Sequence, residues 1–263
     1  MNKHKRNKII IIASVTFAVM VVFTVVISLV LSRPKIELVY TGKTYPHNTE
    51  SFTQGLFFDD EGNLYETGGN YGASKIYKDV DLNSGVATKE IKADSSVFLE
   101  GTAILDDKIY VLTWQEKIVY RYDKNLKLEK KYTIEHEGWG LTTDGINLIA
   151  SDGTANIFYY DSTFRLIKKV RVTDADGKSV LNINELEYIN GYIFANIWMT
   201  DKIIVINPED GRVIKTFEFP GLYPASKRAN REDVLNGIAY NKQTNKVYLT
   251  GKHWPYYFEF DLK

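Results

Sequence analysis

Five short phrases return along the chain at intervals of roughly 40 to 50 residues, and each sets polar or aromatic side chains at the head of a strand-like stretch. They are Phe52-Thr53-Gln54-Gly55-Leu56, Phe98-Leu99-Glu100-Gly101-Thr102, Gly138-Trp139-Gly140-Leu141, Asn184-Glu185-Leu186-Glu187-Tyr188 and Leu235-Asn236-Gly237-Ile238-Ala239; the fourth lacks the glycine. Taken singly, such residues have ordinary readings. A glutamate before glycine, as at Glu100, is commonly a solvated rim residue. Lys252, followed by His253-Trp254-Pro255, is by default a lysine lying over an aromatic ring, and Asn184 serves equally well as a turn residue. The tryptophans are more often packing residues than ligand contacts. Chemistry requires the phrases to converge on one place.

Other chemistries find little support. His47, His136 and His253 are unpaired at i,i+4, so no zinc-hydrolase motif is present, and neither G-x-S-x-G, G-x-G-x-x-G nor a P-loop phrase occurs. Asp174-Ala175-Asp176-Gly177 has part of a calcium-loop pattern, but Val172 occupies its first ligand position, and the stretch reads as an acidic turn. The absence of cysteine excludes disulfides, thiolate metal sites and a lipid-bearing cysteine. No cofactor and no catalytic metal are expected.

The repeat length is that of one four-stranded propeller blade, which would bring the five openings to a central channel. Short runs rich in Val, Ile, Tyr and Phe, such as Lys108-Ile109-Tyr110-Val111-Leu112 and Ile203-Ile204-Val205-Ile206, read as strands. Glu61-Gly62, Asp106-Asp107, Asp144-Gly145, Asn190-Gly191 and Asp210-Gly211 read as the turns between them. The blades are drawn as 51–93, 96–135, 137–174, 182–220 and 233–263. The last is one strand short, and Ile36 to Thr41 is a spare strand that completes it and closes the ring. The segment Gly221 to Asp233 is the longest insertion, a lid beside the channel or a solvated loop.

Ahead of this lies an apolar run of 23 residues, Ile9 to Leu31, preceded by Lys3, Lys5, Arg6 and Lys8. Its length suits one membrane-spanning helix, and the basic flank keeps the N-terminus in the cytoplasm and sends the rest outward. A cleaved signal peptide is the competing reading, but Ser28 to Pro34 offers no A-x-A-like site. The expectation is thus an all-β, five-bladed β-propeller over residues 34–263, preceded by a basic stub and a single N-terminal transmembrane helix over 1–33. Five of the 33 basic residues precede Pro34, which leaves 28 against 33 acidic ones, a formal charge of −5. Nucleic acid is not an expected partner.

Ser51-Phe52-Thr53-Gln54-Gly55-Leu56, Phe98-Leu99-Glu100-Gly101, Leu112-Thr113-Trp114, Gly138 to Gly145, Asn184 to Tyr188, Asp233 to Ala239 and Thr250-Gly251-Lys252-His253-Trp254-Pro255 together resemble the plant-type glutaminyl-peptide cyclotransferases, in order and over nearly all of the chain after the apolar run. The resemblance implies a five-bladed propeller that converts an N-terminal glutamine of a peptide or protein to pyroglutamate with release of ammonia. It implies a catalytic set of Glu100 as acid/base with Asn184 and Lys252 nearby, in a substrate pocket of Phe52, Gln54, Phe98, Trp114, Trp139 and Trp198. The alternative is a non-catalytic extracytoplasmic propeller that binds a peptide or sugar ligand in the same channel.

Overall fold

The computed structural model describes Met20 and residues 35–263; apart from Met20, the apolar run and its basic flank lie outside the described residues. Leu38 to Leu262 form one compact unit, which opens with β1 (Leu38–Pro46). Four sheets of four strands follow in chain order. The first holds β2 (Thr53–Phe58), β3 (Leu64–Gly68), β4 (Lys75–Asp81) and β5 (Val86–Lys92), and the second β6 (Leu99–Leu105), β7 (Lys108–Thr113), β8 (Ile118–Asp123) and β9 (Leu128–Thr133). The third holds β10 (Leu141–Thr143), β11 (Leu148–Ser151), β12 (Asn156–Tyr160) and β13 (Leu166–Arg171), and the fourth β14 (Ile183–Ile189), β15 (Tyr192–Ile197), β16 (Lys202–Ile206) and β17 (Val213–Glu218). The last joins β18 (Leu235–Asn241), β19 (Lys246–Gly251) and β20 (Tyr256–Leu262) to β1, which pairs antiparallel with β20. This is a five-bladed propeller closed by its N-terminal strand.

The spare strand therefore completes the last blade, but it runs further than Ile36 to Thr41 suggested. Its register slips between Tyr40 and Thr44, where Gly42 takes φ +84°, and pairing resumes to Pro46. A bulge admits the extra residues without ending the strand.

Both faces of each blade are covered by its neighbours, which is why the inner strands read as continuous apolar runs. Tyr65 and Ile76 of the first blade pack with Leu99 and Ile109 of the second, and Leu112 and Val119 pack with Leu148 and Phe158 of the third. Ile149 and Ile157 meet Leu186 and Ile193 of the fourth; Phe219 meets Phe260 of the fifth with ring centres 5.3 Å apart. Leu56 and Leu64 meet Tyr248 and Tyr257, completing the circle. Fully burying one such side chain is worth about 1.5–3 kcal/mol. The outermost strands β5, β9, β13 and β17 stay largely exposed.

Hairpin turns fall where expected, with Asp106-Asp107 and Asn190-Gly191 at positive φ throughout, the conformation that two-residue hairpins demand. The Asp174 stretch is an acidic turn whose carboxylate accepts the backbone N–H groups of Asp176 and Lys178. The segment 221–233 is neither free loop nor loose lid. Arg228 pairs with Asp201 at 2.7 Å, donates to the Tyr223 carbonyl and lies over the Trp254 ring at 5.1 Å.

Candidate active site

At one end of the innermost strands the backbone repeats a device. Pairing with the second strand skips between Thr53 and Gly55, Leu99 and Thr102, Ile183 and Leu186, and Leu235 and Ile238. Each skip is a bulge, which re-aims a side chain out of the ladder. The side chains so aimed are Gln54, Glu100, Asn184 and Asn236, the residues just before the repeated glycine or its substitute; Trp139 holds the matching place ahead of β10. Three of the glycines, Gly55, Gly101 and Gly140, stand where neighbouring blades touch backbone to backbone. A Cβ on Gly55 would stand 2.5 Å from Thr102 N, on Gly101 2.3 Å from Leu141 N, and on Gly140 2.1 Å from Asn184 O. In the fourth blade Glu185 takes the glycine's place and accepts N–H groups from Leu56 and Ile238, in the first and fifth blades, at 3.3 and 3.0 Å.

A second set comes from the residue that follows the second strand of a blade: Trp114 after β7, Trp198 after β15 and Lys252 after β19. Apart from Asn236, the two sets together with Phe52 and Phe98 border one cavity of about 220 Å³, so all nine residues singled out in the sequence share it. Asn70 and Glu232 complete its wall and were not anticipated. Glu232 belongs to the segment pinned by Arg228. A larger cavity of about 760 Å³ opens at the opposite end of the inner strands among the hairpin turns. It holds none of these residues, and its buried acid, Glu187, is fully partnered by Tyr240 N–H and the Thr142 hydroxyl.

The wall is built from aromatic edges and faces. Phe98 lies 5.5 Å from Trp114 and 6.2 Å from Phe52, and Trp139 stands perpendicular to Trp198 at 5.5 Å. Two glycines make room: a Cβ on Gly69 would fall 2.3 Å from the Phe98 ring and one on Gly153 2.7 Å from the Trp139 indole. One carboxylate oxygen of Glu137 accepts both indole N–H groups, from Trp114 at 2.8 Å and from Trp139 at 3.0 Å. Sequence reasoning passed over Glu137, although it stands two residues before Trp139.

Glu100 is buried, with Oε1 accepting a hydrogen bond from Gln54 Nε2 at 3.2 Å and Oε2 accepting none. Burial pushes its carboxyl well above the usual range; the Lys252 charge opposes this, and Glu137 and Glu116 reinforce it. Burial likewise brings the Lys252 ammonium down to about 8, against the pull of Glu100, Glu232 and Asp233. That ammonium faces the Phe52 ring at 4.4 Å. Asn184 Oδ1 is also buried without a partner. The cavity thus offers a carboxyl whose proton burial holds well above the usual carboxylate range, a cation, an amide and an aromatic enclosure. Among the described residues no three His, Cys, Asp or Glu side chains are grouped as a metal ligand set.

A family model described as glutamine cyclotransferase matches residues 15–262. A glutaminyl-peptide cyclotransferase of Arabidopsis thaliana is 34% identical over 223 residues, covering 83% of this chain and 69% of its own. The crystal structure of Myxococcus xanthus glutaminyl cyclase superposes with a TM-score of 0.78 at 31% identity, over 87% of this chain and 96% of that one. The WD40 repeats of RRP9 superpose at 0.54 with 8% identity, over 87% of this chain and all of that one, a likeness of fold alone. The match along nearly the whole propeller, in sequence and in structure, makes this chain a member of the glutamine cyclotransferase family.

Proposed function

We propose that the aromatic cavity takes the N-terminal glutaminyl residue of a peptide or protein and converts it to pyroglutamate, a cyclotransferase reaction of the acyltransferase class. The observation that carries this reading is Glu100, a buried carboxyl held at one oxygen and bare at the other on the cavity wall. The substrate's α-amine attacks its own side-chain carboxamide carbon and closes a five-membered lactam. Nucleophile and electrophile are already tethered, so the wall's first task is to hold the one conformer in which they meet. A free α-amine has a pKa of about 7.7–8.0, so a useful fraction is neutral at physiological pH.

The harder step is departure, because amide ion does not leave and the nitrogen must go as ammonia. Glu100 takes the proton of the attacking amine on Oε2 and returns it to the carboxamide nitrogen, after which the carbon–nitrogen bond breaks and ammonia leaves. A positioned acid/base is worth typically about 10²–10⁴-fold. Its raised pKa suits both halves of the exchange. Lys252 and Asn184 stabilise the oxyanion of the tetrahedral intermediate, where loss of one donor costs about 10²–10³ in rate.

Incubation of the full chain with a glutamine-initiated peptide should release ammonia, with a matching loss of mass. Glu100→Gln should abolish turnover and leave peptide binding in place. A variant that loses both equally would count against an acid/base role, and cyclisation no faster than without protein would favour the non-catalytic propeller.

Ile9 to Leu31, with the basic residues ahead of it, supports a single-pass anchor that holds the propeller outside the cytoplasm. Protease added to intact cells should then remove the propeller, while alkaline washing leaves the full chain in the membrane. Digestion only after lysis would overturn this.

A further inference from the structure

Four of the five residues that precede the repeated glycine or its substitute border the cavity; the fifth, Asn236, does not. It is fully buried behind Gln54. Its Nδ2 lies 2.8 Å from the Thr53 carbonyl oxygen and 3.2 Å from Gln54 Oε1. A backbone carbonyl can only accept, so the Asn236 atom facing Thr53 must be the nitrogen. That nitrogen also faces the Gln54 carboxamide, whose near atom must therefore be its oxygen. The far atom, Gln54 Nε2, is then forced toward Glu100 Oε1 at 3.2 Å. One main-chain carbonyl thus fixes the direction of two side-chain amides in series.

We propose that Asn236 is a positioning residue for the cyclisation, holding the Gln54 amide so that its N–H rather than its carbonyl meets Glu100. This inference rests on the role of Glu100 given above. With the N–H inward, Oε1 is occupied, the ionised carboxylate is favoured, and Oε2 is the oxygen left free to take the substrate's proton. With the amide reversed, two oxygens would face each other unless Glu100 kept its proton between them, on the wrong oxygen and held too tightly. The charged groups bearing on Glu100 are Lys252, Glu137 and Glu116, and substitution of Asn236 alters none of these charges.

Asn236→Leu, which keeps the bulk and removes the donor, tests the relay. The expected result is a fall in kcat of about tenfold at neutral pH, with the acid limb of the kcat profile displaced upward by about one unit, since one pKa unit is a factor of ten in ionised fraction. In the Gln54→Met background, where there is no amide to orient, Asn236→Leu should cost nothing further. Glu100 should titrate at higher pH in Asn236→Leu than in the unsubstituted protein when its carboxyl carbon is followed by NMR, a readout that needs no turnover. That readout separates the two readings: a protein that releases no ammonia overturns the proposed reaction, whereas an unmoved Glu100 titration overturns the relay. An unchanged kcat profile, or losses that add fully with Gln54→Met, would also overturn it. Should Asn236→Leu fail to fold, Asn236→Ser, too short to reach both partners, should show the same displacement, and an unmoved titration in it is equally decisive.

Discussion

At the scale of single residues, the site works by leaving a few polar atoms unpaired and pairing their neighbours completely. Glu137 is the clearest example of the second kind, because one oxygen receives two indole N–H groups from different blades. A hydrogen bond to a charged group is worth roughly 1.5–3 kcal/mol, so Glu137→Leu should loosen both tryptophans and raise KM by about tenfold with a smaller change in kcat. Glu137→Gln separates shape from charge. It keeps an acceptor but removes a negative charge that raises Glu100, so the acid limb of kcat should move to lower pH; a limb that stays put would deny the electrostatic link. Lys252 gives the opposite limb. Held down to about 8 by burial, it loses its charge as pH rises through that value and with it the stabilised oxyanion. Lys252→Arg, whose guanidinium stays protonated, should carry activity further into the alkaline range, at some cost in rate because the fork does not match the ammonium's position. An alkaline limb unchanged in Lys252→Arg would show that another group sets it. The repeated phrases pointed to the channel end as the place of the site, and Glu100, Gln54 and Asn184 were singled out there by the resemblance of their phrases to those of the glutaminyl-peptide cyclotransferases. Asn236 shares that place at the head of a strand, but its partner Gln54 lies 182 residues away in the first blade, and only the closed ring brings the two together. Glu137 has no counterpart in the other phrases, and its role comes from two indoles folded toward it.

At the scale of elements, bulge and glycine act together in the first and second blades, where a Cβ on Gly55 or Gly101 would stand 2.5 or 2.3 Å from the backbone of the next blade. Gly140 is the tightest case among the repeated glycines, with backbone of Asn184 at 2.1 Å from where a Cβ would be. Backbone on both sides cannot rotate away as a side chain would. Gly140→Ala should therefore cost about 1–3 kcal/mol, the range for overpacking, and should also lower kcat by shifting Asn184. Gly145→Ala is the control: its φ of +87° is strained for alanine, but nothing lies within 4 Å. It should cost about 1–2 kcal/mol through backbone strain alone and leave kcat intact. Urea unfolding and turnover of the two variants check this, and a Gly140→Ala protein with unchanged kcat would break the link between close approach and catalysis. The strands themselves were readable because blades stacked face to face bury β-branched and aromatic residues on both sides. The length of β1 was not, because Gly42 ends a strand in local reading and makes a bulge in the structure. The segment 221–233 was also beyond reach, since Arg228 finds Asp201 in another blade and Trp254 in a third place along the chain.

At the scale of the whole molecule, the ring's stability has a pH dependence written into buried carboxyls of opposite kind. Glu66 sits where the closing strand, the first blade and the last blade meet, accepting hydrogen bonds from His47, Ser51, Thr53 and Tyr257. Burial works against its ionised form, but the His47 interaction and the hydroxyls outweigh it and hold the carboxyl below the usual range. A depressed folded pKa contributes stability that is present above the unfolded value and lost as pH falls through the folded one, so Glu66 weakens the closure only in acid. Glu187, at the other end of the channel, is pushed up to about 8 by burial, with the Tyr240 N–H and Thr142 hydroxyl opposing. Its stabilising proton is held in full below the unfolded pKa near 4.3 and is lost as pH climbs from there to about 8, at a slope of at most about 1.4 kcal/mol per pH unit. Glu187→Gln carries no proton to lose. Relative to the unsubstituted protein it should gain stability steadily between pH 5 and 8 and hold a constant advantage above, as read from urea midpoints at fixed m-value. A difference between the two proteins that stays flat across that range would mean that Glu187 is ionised in the folded ring, and that the channel holds a charge its surroundings were arranged to exclude.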